Sequence, residues 1–495
     1  MNFNSNCFVS LLVMLVYGVV SKRIIDAKLR NYFVTYYNCI NLFTLSKEGV
    51  SKVILEEPYK IQKQDLIDCD IYKNIFDYPT PKKLSDFIAK SKNIVQDEIE
   101  KPETFNGNLE PIFINNVSEQ LVNLKTNDIG NILLFGATGF LGTHILRELV
   151  INSKRKIICV VRKNELQEPK LRLQTLLTYY FEEPFTELFG KRIFVIDSDL
   201  LDDQILSKVK KFDFDTIINC AAVVKHFSSD NSIEKTNTGG AKNLINLAIN
   251  LNKKLIHIST LSVSGESING NISPEFKFKE TMLNVGQIVD NKYIKSKFDA
   301  ETEIKNAIKN RGLRAKIIRV GNLMSRNSDG EFQINFNTNN FMNTIKAFSI
   351  LKCVPYDMLS HSVEFSPIDS VSKAILLLAS TNDMFNVFHV NNIHSIQMNN
   401  VIDELNHHGI IIKKVTNEEF GNTLSKLLSE KTDVKTLNSL LAYRANRNER
   451  RVLVPTENMF TLNTLYRLGF YWPLPDKDYL AKLIEYLISL DFFNK

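Results

Sequence analysis

From about residue 131 the apolar positions of this chain follow two alternating patterns. Short runs with little polar interruption occupy residues 132–135, 156–161, 192–196, 216–219, 255–259 and 316–320. Between several of them apolar residues recur at helical spacing, as in 241–251 and 293–309. Such a run suits a strand buried on both faces, and strands separated by helical stretches predict a parallel, doubly wound α/β sheet. From about residue 386 the spacing becomes mostly helical and ends in an amphipathic last helix. The expected organisation is therefore an α/β core over 129–385 followed by a mostly helical C-terminal substrate subdomain over 386–495.

Upstream the pattern is less regular. Residues 7–20 form an apolar run shorter than the roughly 20 residues of a membrane-spanning helix. Its positive charges, Lys22 and Arg23, follow the run, whereas a signal peptide carries them first. A membrane anchor or signal, a packed helix and the remnant of another domain are all open readings. Residues 96–128 mix Pro, Gly and Asn with polar side chains and read as a linker after an N-terminal segment, 1–95.

The run 132–135 leads directly into Gly136-x-x-Gly139-x-x-Gly142, with Phe140, Leu141, Ile145, Leu146 and Leu149 at helical spacing behind it. Strand, tight turn and helix in that order form the dinucleotide-binding arrangement of a Rossmann-like sheet. Gly136 makes the turn, Gly139 lets a pyrophosphate approach the helix N-terminus, and Gly142 lets the helix lie close on the sheet. The next strand ends in Val161-Arg162-Lys163, where an NAD enzyme tends to place an acidic residue. A guanidinium there suits a 2′-phosphate and favours NADP. Asp199 and Leu200 follow the third run and are placed to contact adenine, although an aspartate at that point also suits a simple helix cap.

Composition changes this picture little. The chain has 495 residues, 44% of them apolar and 23% charged, which is ordinary for a globular protein. A net charge of +6 without a long basic run gives no reason to expect nucleic acid as a partner. The cysteines at 7, 39, 69, 159, 220 and 353 lack metal-ligand spacing and read as small core side chains in a reducing compartment. The expected location is cytoplasmic, with residues 7–20 as the one candidate for membrane association.

Tyr293 and Lys297 lie four apart in a helical stretch, hence on one face. Upstream, Ile256-His257-Ile258-Ser259-Thr260 is a strand ending in hydroxyls. This combination fits a short-chain dehydrogenase/reductase of the extended type. An ammonium near the phenol is expected to lower the Tyr293 pKa and make it a proton donor or acceptor near neutral pH. Lys297 would also hold the nicotinamide ribose, and Thr260 would hydrogen-bond a substrate oxygen as charge develops on it.

Beyond the superfamily, Gly-Ala-Thr-Gly-Phe-Leu-Gly at 136–142, Asn219-Cys-Ala-Ala-Val-Val-Lys-His226, Asn237-Thr-Gly-Gly240, Tyr293-x-x-Ser-Lys297, Arg319-Val-Gly-Asn-Leu323, Phe365-Ser-Pro-Ile-Asp369 and a Gly-Phe-x-Trp-Pro segment at 469–473 resemble, in the same order and at similar spacing, the motifs of thioester reductase domains. These domains terminate nonribosomal peptide and polyketide synthases and occur in carboxylic acid reductases. The resemblance runs from about 130 to the C-terminus. It implies catalytic roles for Thr260, Tyr293 and Lys297. It also places Gly136, Thr138, Gly139, Phe140, Leu141, Gly142, Arg162, Asp199 and Leu200 around NADPH, with Asn219, Ala221 and Asn237 near it. Ser198 stands where the family usually has glycine. The implied reaction is reduction of a carrier- or CoA-bound acyl thioester to an aldehyde, with further reduction to the alcohol left open. Fatty acyl-CoA reduction and a non-catalytic dinucleotide-binding remnant of a synthase are the competing readings.

Residues 72–88, Tyr-Lys-Asn-Ile-Phe-Asp-Tyr-Pro-Thr-Pro-Lys-Lys-Leu-Ser-Asp-Phe-Ile, resemble the last part of an acyl or peptidyl carrier domain. Ser51 lies at a suitable distance upstream to take the phosphopantetheine arm. However, Gly49-Val50-Ser51-Lys52 lacks the acidic and leucine neighbours of a working carrier, and Pro58 would interrupt the helix behind it. A degenerate carrier serving as a structural lead-in is the other reading.

Overall fold

The computed structural model describes residues 124–163, 167–224, 231–268, 270–336, 339–430, 440 and 451–493. The apolar run at 7–20, Ser51, the carrier-like stretch 72–88 and most of the linker lie outside the described residues. Strands β1 (Ile132–Phe135), β2 (Ile157–Val161), β3 (Ile193–Asp197), β4 (Thr216–Asn219), β5 (Lys254–Thr260), β6 (Ala315–Val320) and β7 (Val387–Val390) form a sheet. All its pairings are parallel, in the order β7-β6-β5-β4-β1-β2-β3. The chain runs outward from β1 to β3 and then returns to the far side of β1 for β4. The boundary between β1 and β4 is thus the switch point, where the loops diverge and leave a crevice at the carboxyl ends.

The longer helices are α1 (Phe140–Asn152), α2 (Pro169–Phe181), α3 (Gly240–Asn250), α4 (Lys292–Arg311), α5 (Asn340–Leu351), α6 (Ile368–Ala379), α7 (Met398–His407), α8 (Asn417–Ser429), α9 (Met459–Arg467) and α10 (Lys477–Ser489). Parallel neighbours require crossover connections, and the helices that supply them cover both sheet faces. Ile132, Leu134, Cys159 and Ile256 pack with α1 and α6 on one face. Leu133, Phe135, Ile158 and Ile317 pack with α3 and α4 on the other. This two-sided burial is why β1, β2, β4, β5 and β6 have no exposed position.

The division expected at 385/386 does not coincide with the cores. Strand β7 lies beyond it yet forms the edge of the main sheet, paired in register with β6 from Val387↔Ile317 to Val390↔Val320. Its polar member, His389, interrupts the apolar run and hides the strand from pattern reading. Helix α9 also returns to this core, bringing Leu462, Leu465, Phe470 and Trp472. Gly469, at φ +77°, ends α9, and Phe470 N–H bonds back to the Leu465 carbonyl at 2.9 Å, turning the chain inward. The Phe470 and Trp472 rings then meet edge to face at 5.1 Å. The rest of the C-terminal region is mostly helical and has a core of its own, with Phe348 of α5, Leu405 of α7 and Leu483 of α10.

At the other end, the last residues of the expected linker are already tied to the α/β domain. Thr126 bridges Thr381, Asn127 N–H bonds the Ser380 carbonyl at 2.7 Å, and Asp128 pairs with Arg155 at 2.6 Å. Among the described residues no helix is long and apolar enough to cross a membrane.

Trp472→Ala should remove about 3–5 kcal/mol of stability, the range for truncating a buried large aromatic. Urea denaturation checks this, and an unchanged midpoint would mean that the C-terminal return adds nothing to the sheet core.

Candidate active site

At the carboxyl edge of β1, Gly136 and Gly142 meet the steric demands that their spacing predicts. Gly136 sits at φ +79°, and a Cβ there would lie 2.5 Å from the Ala221 nitrogen, so the turn closes on the chain leaving β4. A Cβ on Gly142 would lie 2.0 Å from the Gly136 carbonyl oxygen, which is how closely α1 rests on the turn. Gly139 is exposed and begins α1, and no side chain caps that helix. The first-turn N–H groups of α1 are therefore left to an external acceptor, the arrangement that receives a pyrophosphate. Thr138 is partly exposed beside them. The side chains of Phe140 and Leu141 point into protein, Phe140 against Phe332 at 5.6 Å and Leu141 buried, so these two offer backbone N–H rather than side chains.

At the rim, Arg162 is exposed just past β2, and its carbonyl accepts a hydrogen bond from Arg172 of α2 at 3.1 Å. Two guanidiniums thus share this corner. Burial and the neighbouring Arg162 charge depress the Arg172 pKa, a cost that an anion would relieve. Sequence reading missed Arg172 because its position in α2 looks like any solvated helix face. Asp199 turns back on its own loop, accepting from Leu201 N–H at 2.7 Å. Leu200 is buried against Gly240, and its carbonyl is held by Asn243 at 2.9 Å. Ser198, where the family usually has glycine, is accommodated by donating to Asp202 at 2.5 Å.

Across the crevice, Thr260 is the last residue of β5, with its hydroxyl accepting from Ser262 N–H at 3.2 Å. Asn291 caps α4 through the N–H groups of Tyr293 and Ile294, which fixes Tyr293 in the first turn. One turn on, the buried Lys297 donates to the Ile258 carbonyl at 2.8 Å, two residues before Thr260. This bond ties the end of β5 to the first turns of α4. Asn219 accepts from Ala221 N–H at 3.1 Å and donates to His257 at 3.2 Å, shaping the loop that closes on Gly136. Asn237 lies in one turn of π-helix, Lys235–Gly239, and its amide bonds both backbone groups of Val223 and the Ser296 hydroxyl. It is a strut between that loop and α4, with no amide proton left for a ligand.

The expected lowering of the Tyr293 pKa does not occur. Burial pushes the phenol up to about 12, and the neighbouring ammonium is committed to the Ile258 carbonyl. Burial also pulls Lys297 down to about 8, which still leaves it mostly charged at neutral pH.

Beneath these groups runs a buried polar network that sequence reading did not anticipate. Ser259 donates to Glu301 at 2.6 Å, and Arg319 of β6 grips both Glu301 oxygens at 2.7–3.1 Å. Arg319 also donates to the Met282 carbonyl at 2.7 Å and to His389 of β7 at 2.9 Å. His389 in turn bonds the Glu457 carbonyl at 2.6 Å. Glu280, pushed up to about 7 by burial, accepts from the backbone and hydroxyl of Thr461.

A seven-stranded parallel sheet with a glycine turn and an uncapped helix N-terminus at the end of its first strand is the architecture of an NAD(P)-dependent oxidoreductase of the extended short-chain dehydrogenase/reductase class. Comparison with known proteins narrows this. An NAD-binding family model described as Male sterility protein matches residues 134–375. A thiolation-reductase di-domain from an archaeal nonribosomal peptide synthetase is 36% identical, with a TM-score of 0.68, and the match covers 80% of this chain and all (100%) of that one. The reductase domain of the aureusimine biosynthetic cluster is 26% identical, with a TM-score of 0.63, covering 77% and 99%. A linear gramicidin synthase chain of Brevibacillus parabrevis is 26% identical over 361 residues, 72% of this chain but 7% of that protein. The chain belongs to the thioester reductase domain family of nonribosomal peptide and polyketide synthases, and it spans only a small part of the curated relatives it matches.

Gly142→Ala should abolish dinucleotide binding, since the added methyl meets backbone rather than a yielding side chain. Fluorescence titration with NADPH checks this, and wild-type affinity would mean that the turn is not the binding site.

Proposed function

We propose that the chain reduces an acyl thioester, carried on a phosphopantetheine arm or on coenzyme A, to an aldehyde, with NADPH as reductant and free thiol as second product. The observation that supports this reading is the bond from Lys297, one turn beyond Tyr293 on α4, to the Ile258 carbonyl two residues before Thr260 at the end of β5, with an uncapped helix N-terminus after β1. The residues that fit the dinucleotide are Gly136, Thr138 and Gly139 with the N–H groups of Phe140, Leu141 and Gly142 for the pyrophosphate. Arg162 and Arg172 suit a 2′-phosphate, while Asp199 and Leu200 serve the adenine side. When bound, NADPH supplies a hydride.

The chain's own residues supply position and protons. Thr260 donates a hydrogen bond to the thioester oxygen as negative charge develops there. A phenol pushed up to about 12 is protonated at neutral pH and therefore acts as a donor, the direction that carbonyl reduction requires. Lys297 keeps a positive charge one turn beyond that phenol on α4 and ties the helix to the strand end through Ile258. Loss of the thiol then leaves the aldehyde. The di-domain relative supports a carrier-derived lead-in for the upstream segment and a carrier-bound substrate.

Incubation with acyl-pantetheine and acyl-CoA thioesters, followed by NADPH absorbance and mass analysis of the product, tests the proposal. Aldehyde is expected. A preference for long-chain acyl-CoA would favour fatty acyl-CoA reduction, and no oxidation with any thioester would favour a dinucleotide-binding remnant. Tyr293→Phe should lower turnover by about 100-fold or more while leaving NADPH affinity within about twofold. Arg162→Ala should weaken NADPH by about tenfold, the worth of one charge-assisted bond, and leave NADH nearly unchanged. Equal losses for both cofactors would remove Arg162 from the 2′-phosphate site.

A further inference from the structure

Resting on the reaction proposed above, we infer that Glu301 is a positioning residue: its carboxylate holds the Thr260 strand end against the Tyr293 and Lys297 helix and supplies the negative charge that faces the Lys297 ammonium. Glu301 lies one turn beyond Lys297 on α4, and the two side chains grip successive residues of β5. Lys297 bonds the Ile258 carbonyl at 2.8 Å, and Glu301 accepts from the Ser259 hydroxyl at 2.6 Å. Thr260 is the next residue. The carboxylate has no freedom to turn away, because Arg319 holds both of its oxygens and the pair is fully enclosed, each side chain 0% exposed. Arg319 is itself held over the Phe278 ring, its guanidinium carbon 4.9 Å from the ring centre.

The charge argument follows from the groups around Lys297. From the end of β4 it faces the Cys220 thiol, pushed up to about 12 by burial and so neutral. From β5 it faces His257, which burial holds well below its ordinary value and so neutral. On its own helix stand Tyr293, neutral at about 12, and Glu301. Lys305, one turn beyond Glu301 on α4, is pulled down to about 7 by burial and by the Arg319 charge. Besides the Cys220 thiol, Glu301, held in its pair with Arg319, is the group that opposes the burial pulling the Lys297 ammonium down to about 8. Where the ammonium is needed, binding and turnover are present below that value and fall as pH rises through it. Losing Glu301 moves this limb to lower pH.

The test follows NADPH binding by fluorescence, with turnover alongside, from about pH 6 to about pH 10 on the full chain. Glu301→Gln should move the alkaline limb down by about one pH unit and lower kcat about tenfold, with KM changed less than about twofold. Glu301→Asp should bring the limb most of the way back. Glu301→Gln leaves a buried guanidinium unpaired, so the protein can fail to fold. The double variant Glu301→Met with Arg319→Met replaces the pair by apolar packing and should move the limb in the same direction by less, because the opposing Arg319 charge is lost with it. A limb superimposing on wild type in the folded variants would overturn the proposal, as would a limb that persists in Lys297→Met. A limb that moves in the binding assay without turnover of any thioester keeps the role of Glu301 and rejects the substrate reading. Thioester turnover with an unmoved limb does the reverse.

Discussion

The fully buried pair of Arg319 and Glu301 is the interaction on which the arrangement of this molecule turns. Two charges taken out of water are tolerated only when nearly every donor and acceptor is matched, and here the matching partners come from β5, α4, β7 and the segment around Met282. Each of these elements is held where the pair needs it. The same requirement extends to the C-terminal part of the chain. His389 depends on the Glu457 carbonyl, and Glu280 on Thr461 at the start of α9. Helix α4 and the C-terminal return are thus fastened at the same point.

Much of the sheet was legible because strands buried on both faces leave uninterrupted apolar runs, and six of the seven lie within a residue or two of where those runs stand. The cradle was legible because each glycine answers a separate steric demand within one short stretch. Strand β7 was not, since His389 serves the Arg319 network and breaks the apolar pattern. Neither was the antiparallel pairing of Glu266–Ile268 with Arg451–Leu453, which joins segments far apart in sequence. Of the site residues, Tyr293 and Lys297 were marked by helical spacing and Thr260 by its place at a strand end. Glu301 stood at the same spacing beyond Lys297 and could have been found by that signal. Arg172 gave none, because only the folded chain brings it to Arg162.

The protonation states could not have been read from residue types. Proximity to an ammonium suggested a lowered phenol pKa, yet the enclosed position of Tyr293 outweighs it and raises the value. Burial acts on both groups against their charged forms, lifting the acid and lowering the base. The result is a site poised with a neutral phenol and a charged lysine at neutral pH, which favours giving a proton over taking one.

The closeness of α1 to the Gly136 turn has a wider consequence. Because backbone rests there on backbone, the floor of the crevice has a fixed width and cannot adapt to what enters it. On the proposed reading, discrimination between one dinucleotide and another falls to side chains at the rim, such as Arg162 and Arg172. A lineage could therefore exchange its preferred electron carrier by altering surface residues alone, without disturbing the architecture below.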